Sequence, residues 1–545
     1  ADAVEHSSSE LKDLWDEGKL DSVPGLGESL RGYLDELFKT GKVKHFEAAK
    51  KGIADIVFEL LDVPGVGPKT AQEVAKFGVM DVGELREWIK SGKLVEKGFS
   101  AKIAEKIMAG LEQNSSRKTG RMLLPYASVQ AERIIDYLKK SKDVIETHPL
   151  GSLRRMVATV GDLDFSASSK DSEKVVEHFT KMPGVVRILD KGENKGSVML
   201  QSGIRVDLLV GQPESYGALL QHFTGSKQHN IKLRTYAEKK GFSLSEYGVK
   251  KETKIIPCKT EEELYKLLGM QTPPPELRED TGEIEASLAH KLPNLVELKD
   301  IKGELHTHSN YPIDRPSHAP GADLIEQMVK KAKELGYQFI GISDHSPSFT
   351  ALTEEQRIKS IEKRTKFIQQ LRKSNKSIRV LNGLEIDILG DGSLSVPDQA
   401  LITLDYVIAG IHAGHRGSKD QITKRLIRAL ENPHVDIISH PTNRLLNERD
   451  SSEADWERVF KVAAKNDKVL EINGYPNRLD LRDDLVRQAK RFGVKFVIDT
   501  DAHQVDQMDN MLYGVSVARR GWSIKEDVVN SWDWTEFAKW FKMKL

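Results

Sequence analysis

The sequence predicts a multidomain protein of mixed α+β and α/β class, and three features of the chain predict it. Short helical runs fill the first 120 residues, and β-rich runs typical of a mixed sheet follow from Leu150 to Val210. After residue 300, strand-like and helical runs alternate, as they do in a β/α barrel. We therefore expect a helical region at 1–120, a mixed-sheet region at 121–271, a proline-rich linker at 272–300 and a distorted β/α barrel at 301–545.

The composition indicates a globular chain without a membrane-spanning segment. The 545 residues carry 82 basic and 82 acidic side chains and contain no apolar run of membrane-spanning length. A single cysteine, Cys258, excludes a disulfide framework and a thiolate metal cluster. We expect a cytoplasmic protein, and the start at Ala1 suggests that an amino-terminal piece has been removed. Because the net charge is zero, any nucleic acid must be held by local basic patches.

Two glycine turns, VPGLG at 23–27 and VPGVG at 63–67, form an internal repeat in the helical region, and each precedes an amphipathic helix. Backbone N–H groups at such a turn, together with the helix N-terminus, can hold a DNA phosphate without reading base sequence. A single turn of this type more often only marks the start of a helix, but a repeated turn favours DNA binding. The candidate DNA-binding residues are Gly25, Gly27, Gly65 and Gly67.

Three aspartates in the mixed-sheet region have the spacing of a two-metal site. Asp162 and Asp164 lie two residues apart in GDLDF, so on a strand they share one face, and Asp207 in RVDL supplies a third carboxylate from a later strand. Two Mg²⁺ ions held in this way lower the pKa of a primer 3′-hydroxyl and grip a triphosphate. A surface aspartate pair is the alternative, but the upstream GSLRR, with Ser152 and Arg155 as phosphate ligands, makes the set specific.

The segments GSLRR, GDLD, RVDL and HFTGSKQHNIKLR resemble the family X DNA polymerases over residues 21–270. The resemblance implies a helix-hairpin-helix DNA-binding region, a nucleotidyltransferase palm, and gapped or primer-template DNA and dNTPs as partners. It also implies roles for three groups of residues. The catalytic metal ligands would be Asp162, Asp164 and Asp207; the nucleotide site would include Gly151, Ser152, Arg155 and Gly161; the sugar-facing turn would be Phe223, Thr224 and Gly225, with Asn230 and Arg234 near the base pair.

The sequence departs from this family pattern at two places. His222 stands where the family usually has tyrosine, so discrimination between ribose and deoxyribose does not carry over. Tyr33 stands where animal relatives have the lysine that forms a Schiff base with a 5′ sugar phosphate, and Ser29 matches the neighbouring lysine. A phenol forms no imine, so we expect no lyase activity by that route.

Histidines and acids cluster at the carboxyl ends of the strand-like runs in the barrel-like region. They occur in HTH at 306–308, SDH at 343–345, GLEID at 383–387, GIH at 410–412, SHP at 439–441 and DAH at 501–503. A lone histidine is more often a surface or core residue, but six such groups at strand ends indicate a metal centre. Imidazole and carboxylate ligands without sulfur suit manganese, iron or zinc, and metal ions bridged by a carboxylate activate water for phosphodiester hydrolysis.

This second set resembles the polymerase and histidinol phosphatase (PHP) domain, which follows the polymerase in many bacterial family X enzymes. The matching ligands are His306, His308, His345, Glu385, His412, His440, Asp501 and His503. The family's remaining acid falls in register with Ile313, so we nominate Asp314, one residue later, and expect weak or partial occupancy of that position. The resemblance implies a 3′-to-5′ exonuclease with up to three Mn²⁺ or Zn²⁺ ions, and in some relatives cleavage beside abasic sites.

Three other interpretations stay open from the sequence. The second region alone would suit a small-molecule phosphatase, but its fusion to DNA-binding turns argues against that activity. A DNA-binding scaffold with relic sites conflicts with the complete sets of acids and metal ligands. A template-independent nucleotidyltransferase would share the palm motifs, whereas Asn230, Arg234 and the paired turns favour a templated polymerase. We expect a monomeric enzyme that fills gaps in DNA repair.

Overall fold

The computed structural model describes residues 27–40, 43, 45, 55–61, 66–79, 82–100, 103–104, 107–108, 111 and 121–543. The chain divides into two compact units, Ala1–Asn114 and Ser115–Leu545. Gly25 and Gly65, two of the candidate DNA-binding residues, lie outside the described residues.

The described part of the first unit is helical, as the sequence predicts. A small apolar core that includes Leu60, Val74, Leu85 and Trp88 holds its helices together. Gly67 precedes a helix that starts with Pro68. Proline suits the first helical position, because it has no N–H that would lack a partner there. The helices are α1 Glu28–Thr40, α2 Asp55–Leu61, α3 Pro68–Lys76, α4 Val82–Lys90 and α5 Lys93–Glu96.

A five-stranded mixed sheet forms the first part of the second unit. Its strand order is β2-β4-β7-β6-β5, in which only β4 and β7 are parallel neighbours. Buried apolar residues on these strands, such as Phe165 and Leu208, form a core with the helices packed on the sheet. The elements are β1 Met122–Leu123, α6 Leu124–Leu138, β2 Glu146–Pro149, α7 Gly151–Arg154, β3 Thr159–Val160, β4 Leu163–Ser168, α8 Ser172–Thr180, β5 Val185–Lys191, β6 Lys195–Leu200 and β7 Arg205–Gly211.

A smaller helical and β-hairpin region follows the mixed sheet. Its three antiparallel strands have the order β10-β9-β8 and pack with the helices around Leu233, Val249 and Tyr265. Ser226 accepts a hydrogen bond from the backbone N–H of His229 and so begins the second of these helices. The elements are α9 Tyr216–Thr224, α10 Lys227–Lys239, β8 Phe242–Ser245, β9 Gly248–Lys251, β10 Lys254–Ile256 and α11 Glu261–Leu267.

The segment expected to be a linker is packed against its neighbours. It contains helix α12, Glu283–Leu288, and its Arg278 and Glu283 are fully buried. Arg278 donates to the carboxylate of Glu261, and Glu283 accepts from Nδ1 of His229 over 2.6 Å. Buried charges need such partners. These charged residues therefore hold the segment that was predicted to be a linker against the preceding region.

The third region consists of parallel strands in sequence order, separated by helices. They form a three-stranded sheet, β11-β12-β13, and a five-stranded sheet, β14-β15-β16-β17-β18. Isolated parallel bridges, His345 to Glu385 and Thr307 to Ala502, connect the ends of the two sheets. A closed, distorted barrel stays a prediction. The strands are β11 Gly303–Glu304, β12 Phe339–Ile342, β13 Arg379–Asn382, β14 Glu385–Asp387, β15 Ile408–Gly410, β16 Ile437–Ile438, β17 Val469–Asn473 and β18 Lys495–Asp499.

Amphipathic helices flank these parallel strands, and several begin with a clear capping pattern. Thr353 and Gln356 form a capping box, and so do Ser418 and Gln421. No helix in the described part of the chain has the length and apolar character needed to cross a membrane. The helices are α13 Ile325–Glu334, α14 Glu354–Ser374, α15 Asp398–Leu401, α16 Lys419–Glu431, α17 Trp456–Lys465, α18 Asp483–Lys490, α19 Met511–Arg520 and α20 Trp534–Trp540.

Candidate active sites

The structure brings the three predicted palm aspartates together. Asp164 on β4 lies opposite Asp207 on the parallel strand β7, and Asp162 immediately precedes β4. Burial, and after it the charges of Asp207 and Asp162, together raise the pKa of Asp164 to about 6. Carboxylates that repel one another in this way favour a bound divalent cation, because the cation relieves the repulsion.

Two side chains orient the third aspartate. The hydroxyl of Ser197 on β6 donates to Oδ1 of Asp207, and Nε of Arg205 lies 3.2 Å from the same oxygen. Arg205 precedes Asp207 by two residues on β7, so both side chains lie on one face of the sheet. The second carboxylate oxygen, Oδ2, lies 3.1 Å from the same Arg205 nitrogen.

The predicted phosphate-binding element lies directly beside these aspartates. Helix α7 starts at Gly151, whose φ of +53° favours glycine. The N–H of Leu150 donates to the carbonyl oxygen of Asp164 over 2.8 Å, which fixes the start of α7 against β4. Ser152, in the first turn of α7, is half-buried at this position. A Cβ added to Gly161 would lie 3.3 Å from Nη1 of Arg121.

Arg155, at the end of α7, contacts the turn that was predicted to face the sugar. Its Nη1 donates to the carbonyl oxygen of Thr224 over 2.8 Å, and its Nε donates to Glu279 Oε1 over 2.8 Å. The neighbouring Arg154, which the sequence did not single out, pairs with Glu261 over 2.7 Å. Both arginines therefore connect the palm to the region that follows it.

Hydrogen bonds hold the predicted sugar-facing segment against helix α10. Phe223 and Thr224 are the last two residues of α9, and Gly225 follows the helix end. Asn230 donates from Nδ2 to the carbonyl oxygen of His222 over 2.8 Å. A Cβ on Gly225 would lie 2.7 Å from Oδ1 of Asn230, so this position has room only for glycine. Arg234 lies 3.4 Å from both ring nitrogens of His222, and burial followed by the charge of Arg234 lowers the pKa of this histidine. The residue that replaces the family tyrosine is thus in contact with Arg234.

Glu385 is the centre of the second candidate site. Its Oε2 lies 3.3 Å from Nε2 of His306, 3.5 Å from Nε2 of His308 and 3.1 Å from Nδ1 of His345. Asp501 adds a second carboxylate, with Oδ1 at 3.1 Å from Nε2 of His308 and 3.4 Å from Nε2 of His306. Four of these residues, His306, His308, Glu385 and Asp501, have ligand atoms close enough together to hold one metal ion.

The other oxygen of Glu385 faces a second group of histidines. Oε1 lies 3.2 Å from Nε2 of His412 and 3.0 Å from Nε2 of His440. A third group combines His503 with His308 and His345, and the rings of His308 and His503 stack with centroids 4.2 Å apart. Glu385 thus lies between neighbouring ligand groups, which is the position of a bridging carboxylate.

Several buried imidazole nitrogens have no hydrogen-bond partner among the described residues, which favours metal binding. Nε2 of His306 and Nδ1 of His345 are buried and have no hydrogen-bond partner among the described residues, although carboxylate oxygens lie nearby. Burial would raise the pKa of Glu385, but His306 and His412 hold it well below its usual range. Nε2 of His308 and Nε2 of His440 do lie within hydrogen-bond distance of Asp501 and Glu385, at 3.1 and 3.0 Å. Imidazole nitrogens and carboxylate oxygens that converge in this way are the expected donor set for a divalent transition metal.

A further set of polar residues, which the sequence analysis missed, supports these ligands. Nδ1 of His306 donates to Oε1 of Glu471 over 2.6 Å, and Nδ1 of His412 donates to Oδ1 of Asp387 over 2.7 Å. Such carboxylates fix which ring nitrogen faces a metal. Two features of the sequence could have identified Asp387 and Glu471. Asp387 lies two residues after Glu385 on one strand, and Glu471 is a lone acid within the buried strand β17.

Arg478 and Asn473 lie beside Asp501. Nε of Arg478 is 3.4 Å from Asp501 Oδ2, and Nδ2 of Asn473 is 3.2 Å from the same oxygen. Neither residue belongs to a motif that the sequence analysis used.

The structure does not bring Asp314 into the cluster. Asp314 is exposed, and its backbone N–H points to Ser360 Oγ at 3.4 Å. His318 occupies the nearby position instead. Its Nε2 lies 2.9 Å from Oδ1 of Asp387, and together with His412 these residues form a fourth group of candidate ligands. The sequence SHAP gave no strand-end signal for this histidine, because it lies in a loop between β11 and α13.

The fold and the two sites define a class: a multidomain protein with a carboxylate site on a mixed sheet and a buried imidazole–carboxylate cluster at the ends of parallel strands. Comparisons with known proteins agree with this class. The family model described as SAM-like helix-hairpin-helix tandem matches residues 57–113, DNA polymerase beta thumb matches 219–279, and PHP domain matches 304–474.

Relatives cover either the whole chain or only its last region. The chain is 35% identical to DNA polymerase/3′-5′ exonuclease PolX of Bacillus subtilis over 538 residues, which is 97% of this chain and 90% of the relative. A probable phosphatase of Thermoanaerobacter is 27% identical over 251 residues, 44% of this chain and 94% of the relative. One from Caldicellulosiruptor saccharolyticus is 31% identical over 189 residues, 33% of this chain and 74% of the relative. The chain belongs to the family X DNA polymerases that carry a PHP domain.

Proposed function

We propose that this chain is a templated DNA polymerase that fills gaps in DNA repair and also removes nucleotides from 3′ ends at a second site. The observation that carries the proposal is the presence of two separate acidic clusters in one unit. Asp164 and Asp207 lie side by side on β4 and β7, whereas Glu385 and its histidines lie at the ends of the parallel strands. The whole-length relative named as a polymerase and 3′-5′ exonuclease supports both activities.

In the polymerase site, Asp162, Asp164 and Asp207 would hold Mg²⁺. Bound there, the ions would lower the pKa of the primer 3′-hydroxyl and neutralise the triphosphate. Ser197 and Arg205 keep Asp207 oriented toward that position. Ser152 and Arg155, with the backbone at Gly151 and Gly161, would bind the incoming dNTP, since α7 starts beside Asp164.

The turn Phe223–Thr224–Gly225 would lie against the sugar, and Asn230 and Arg234 would approach the nascent base pair. Asn230 fixes this turn through the carbonyl oxygen of His222. A histidine in contact with Arg234 replaces the family tyrosine, so selection against ribose is a property to measure on this chain.

The second site would be the nuclease. His306, His308, Glu385 and Asp501 would hold one Mn²⁺ or Zn²⁺ ion. Glu385 would hold a second with His412 and His440, whose Nε2 atoms lie 3.2 and 3.0 Å from its Oε1. His308, His345 and His503 would hold a third, for which Asp314 was the nominated acid. The ions would supply an activated water for phosphodiester hydrolysis. Glu471 and Asp387 hold His306 and His412 in the ring orientation that this requires.

The remaining assignments concern DNA contacts and organisation. Gly27 and Gly67 would present backbone N–H groups to DNA phosphates, because among the described residues no heavy atom lies within 4 Å of a Cβ added at either position. Gly25 and Gly65 would act with them. The domain limits 1–120, 121–271, 272–300 and 301–545, a monomeric state and a cytoplasmic location stay predictions.

A primer-extension assay with Mg²⁺ and then Mn²⁺, on a one-nucleotide gap and on a single strand, tests the proposal. We expect insertion of only the complementary nucleotide in the gap, and Mn²⁺-dependent shortening from the 3′ end. Addition without a template would instead support a template-independent nucleotidyltransferase. Hydrolysis of small phosphate esters without DNA shortening would support the phosphatase activity named for the shorter relatives.

A further inference from the structure

A carboxylate shared by two arginines joins the nucleotide side of the palm to the region that carries the second site. Oε1 of Glu279 accepts from Nε of Arg155 over 2.8 Å and from Nη1 of Arg520 over 3.0 Å. The side chains are largely buried, with exposed fractions of 13% for Arg155, 23% for Glu279 and 10% for Arg520. The Glu279 carboxylate is therefore shared by two guanidinium groups that lie 365 residues apart in the sequence, and one of them, Arg520, also pairs with Asp483.

Arg520 also contacts the backbone of Arg155 directly. Its Nη1 donates to the carbonyl oxygen of Arg155 over 2.8 Å, and its Nε donates to Oδ2 of Asp483 over 2.7 Å. Asp483 starts α18 and Arg520 ends α19, so two helices of the third region hold this guanidinium in place. The contacts with Arg155 and Glu279 are the ones that reach the palm.

We propose that Arg520 is a positioning residue for the polymerase site, which acts through Glu279 on Arg155 and so tunes the binding of the nucleotide triphosphate. This inference rests on the proposed function, in which Arg155 is a triphosphate ligand. The region that carries the nuclease cluster thereby contributes a residue to nucleotide binding in the polymerase.

The expected direction follows from the charge balance around Glu279. With Arg520 present, Glu279 is shared and Arg155 keeps much of its attraction for a triphosphate. Without Arg520, the whole negative charge of Glu279 faces Arg155, and the carbonyl oxygen of Arg155 loses its donor. Arg155 then competes less well for the triphosphate, so the KM for the dNTP rises.

Arg519 provides a matched control on the same helix. Its Nε pairs with Oε1 of Glu276 over 2.7 Å, and it donates to the carbonyl oxygen of Val296, so it also ties α19 to the segment before the third region. It makes no contact with Arg155 or Glu279 among the described contacts. Arg519→Met and Arg520→Met therefore remove the same charge from α19, but only one removes the partner of Glu279.

The test is single-nucleotide gap filling by the full chain with Mg²⁺, with KM for the dNTP and kcat measured separately. We expect Arg520→Met to raise KM by about three- to tenfold, a change of the size of one ordinary hydrogen bond, and to change kcat by less than about twofold. Arg519→Met should leave KM unchanged. Arg520→Lys should restore part of the affinity, because lysine keeps the charge but cannot reach Glu279, Asp483 and the carbonyl oxygen together.

Two further measurements separate failure of this inference from failure of the proposed function. Mn²⁺-dependent 3′-end degradation should be unchanged in Arg520→Met, which shows that the region around α19 is folded. In an Arg155→Met background, adding Arg520→Met should produce no further rise in KM. If Arg155→Met itself leaves KM unchanged, the proposed role of Arg155 is wrong. If Arg155→Met raises KM while Arg520→Met does not, or matches Arg519→Met, only the positioning role is overturned.

Discussion

Glu471 accepts a hydrogen bond from Nδ1 of His306 over 2.6 Å, which leaves Nε2 of this imidazole facing Glu385 and Asp501. The carboxylate thus fixes the ring orientation needed for metal binding, although it is not itself a member of any candidate ligand group. We predict that Glu471→Gln lowers Mn²⁺ affinity at the second site by about 10–100-fold, as loss of such supporting carboxylates does.

Calorimetric titration of Mn²⁺ into metal-stripped protein measures this change. Asp436→Asn is the control, because Asp436 lies next to β16 at the end opposite His440 and accepts from the N–H of Val407 over 2.9 Å. It should leave Mn²⁺ affinity unchanged. Equal affinities of the Glu471→Gln and wild-type proteins would show that His306 needs no orienting partner.

Asp164 gives a pH-dependent prediction for the metal-free protein. Burial and then the charges of Asp207 and Asp162 raise its pKa from 3.8 to about 6 in the folded chain. The folded state therefore binds this proton more tightly than the unfolded state, and stability falls as the pH rises from about 4 to about 6. Asparagine removes the charge, so Asp164→Asn should raise the melting temperature at pH 7.5 by about 2–4 °C.

The melting temperature is measured in EDTA by differential scanning calorimetry at several pH values. The difference between Asp164→Asn and wild type should shrink on acidification and vanish near pH 4. Asp136→Asn, a change at an exposed position on α6, should show no such trend. A lower melting temperature for Asp164→Asn at pH 7.5 would mean that the three carboxylates do not repel one another.

We predict opposite effects for substitutions of His318 and Asp314 at the outer part of the metal cluster. His318 lies 2.9 Å from Asp387 and its ring centroid is 4.4 Å from that of His412, whereas Asp314 is exposed outside the cluster. We predict that His318→Ala reduces Mn²⁺-dependent nuclease activity at limiting metal, while Asp314→Ala retains it. Metal-dependence curves for the two variants decide between them, and loss of activity in Asp314→Ala alone would restore Asp314 as the ligand.

The glycine turns suggest DNA binding, but we expect no sugar-phosphate lyase activity at the first of them. Tyr33 lies on α1 where the family nucleophile would be, and Lys39 on the same helix is paired with Asp35 over 2.9 Å. We predict that a nicked DNA with a 5′ sugar phosphate gives no covalent adduct on reduction with sodium borohydride. A strong adduct mapped to a lysine within residues 1–60 would contradict this prediction.

Local spacing predicted the parts of the fold and site that depend on local geometry. The two-residue spacing of Asp162 and Asp164 predicted that they lie close together, and the structure places Asp164 opposite Asp207 and Asp162 immediately before β4. The helices after Gly27 and Gly67 are confirmed, because proline or acidic residues start them.

Contacts between distant segments left no such signal. The sequence gives no reason for Glu279 to meet Arg155 and Arg520, since charged residues after three prolines are equally typical of a solvated linker. The nomination of Asp314 rested on register along a loop, and register is weakly defined where no strand period or buried face specifies it. His318, four residues later, does reach the cluster, where its Nε2 lies 2.9 Å from Oδ1 of Asp387 at the end of β14.

We infer that this one chain contains two independent metal-dependent active sites. Asp207 belongs to the palm cluster, and His308 belongs to two of the ligand groups in the second site. Asp207→Ala should abolish nucleotide addition while it leaves DNA binding and Mn²⁺-dependent degradation of 3′ ends nearly intact. His308→Ala, and likewise Asp501→Ala, should abolish that degradation while gap filling survives, and His434→Ala is the surface-histidine control.

One reciprocal measurement tests whether the two active sites are independent. The Asp207→Ala and His308→Ala proteins are each incubated with one labelled gapped DNA, with dNTPs and Mg²⁺ or with Mn²⁺ alone, and the product lengths are compared on the same gel. We expect only shortened products from Asp207→Ala and only extended products from His308→Ala. Extension by Asp207→Ala, or loss of both activities in either variant, would contradict it.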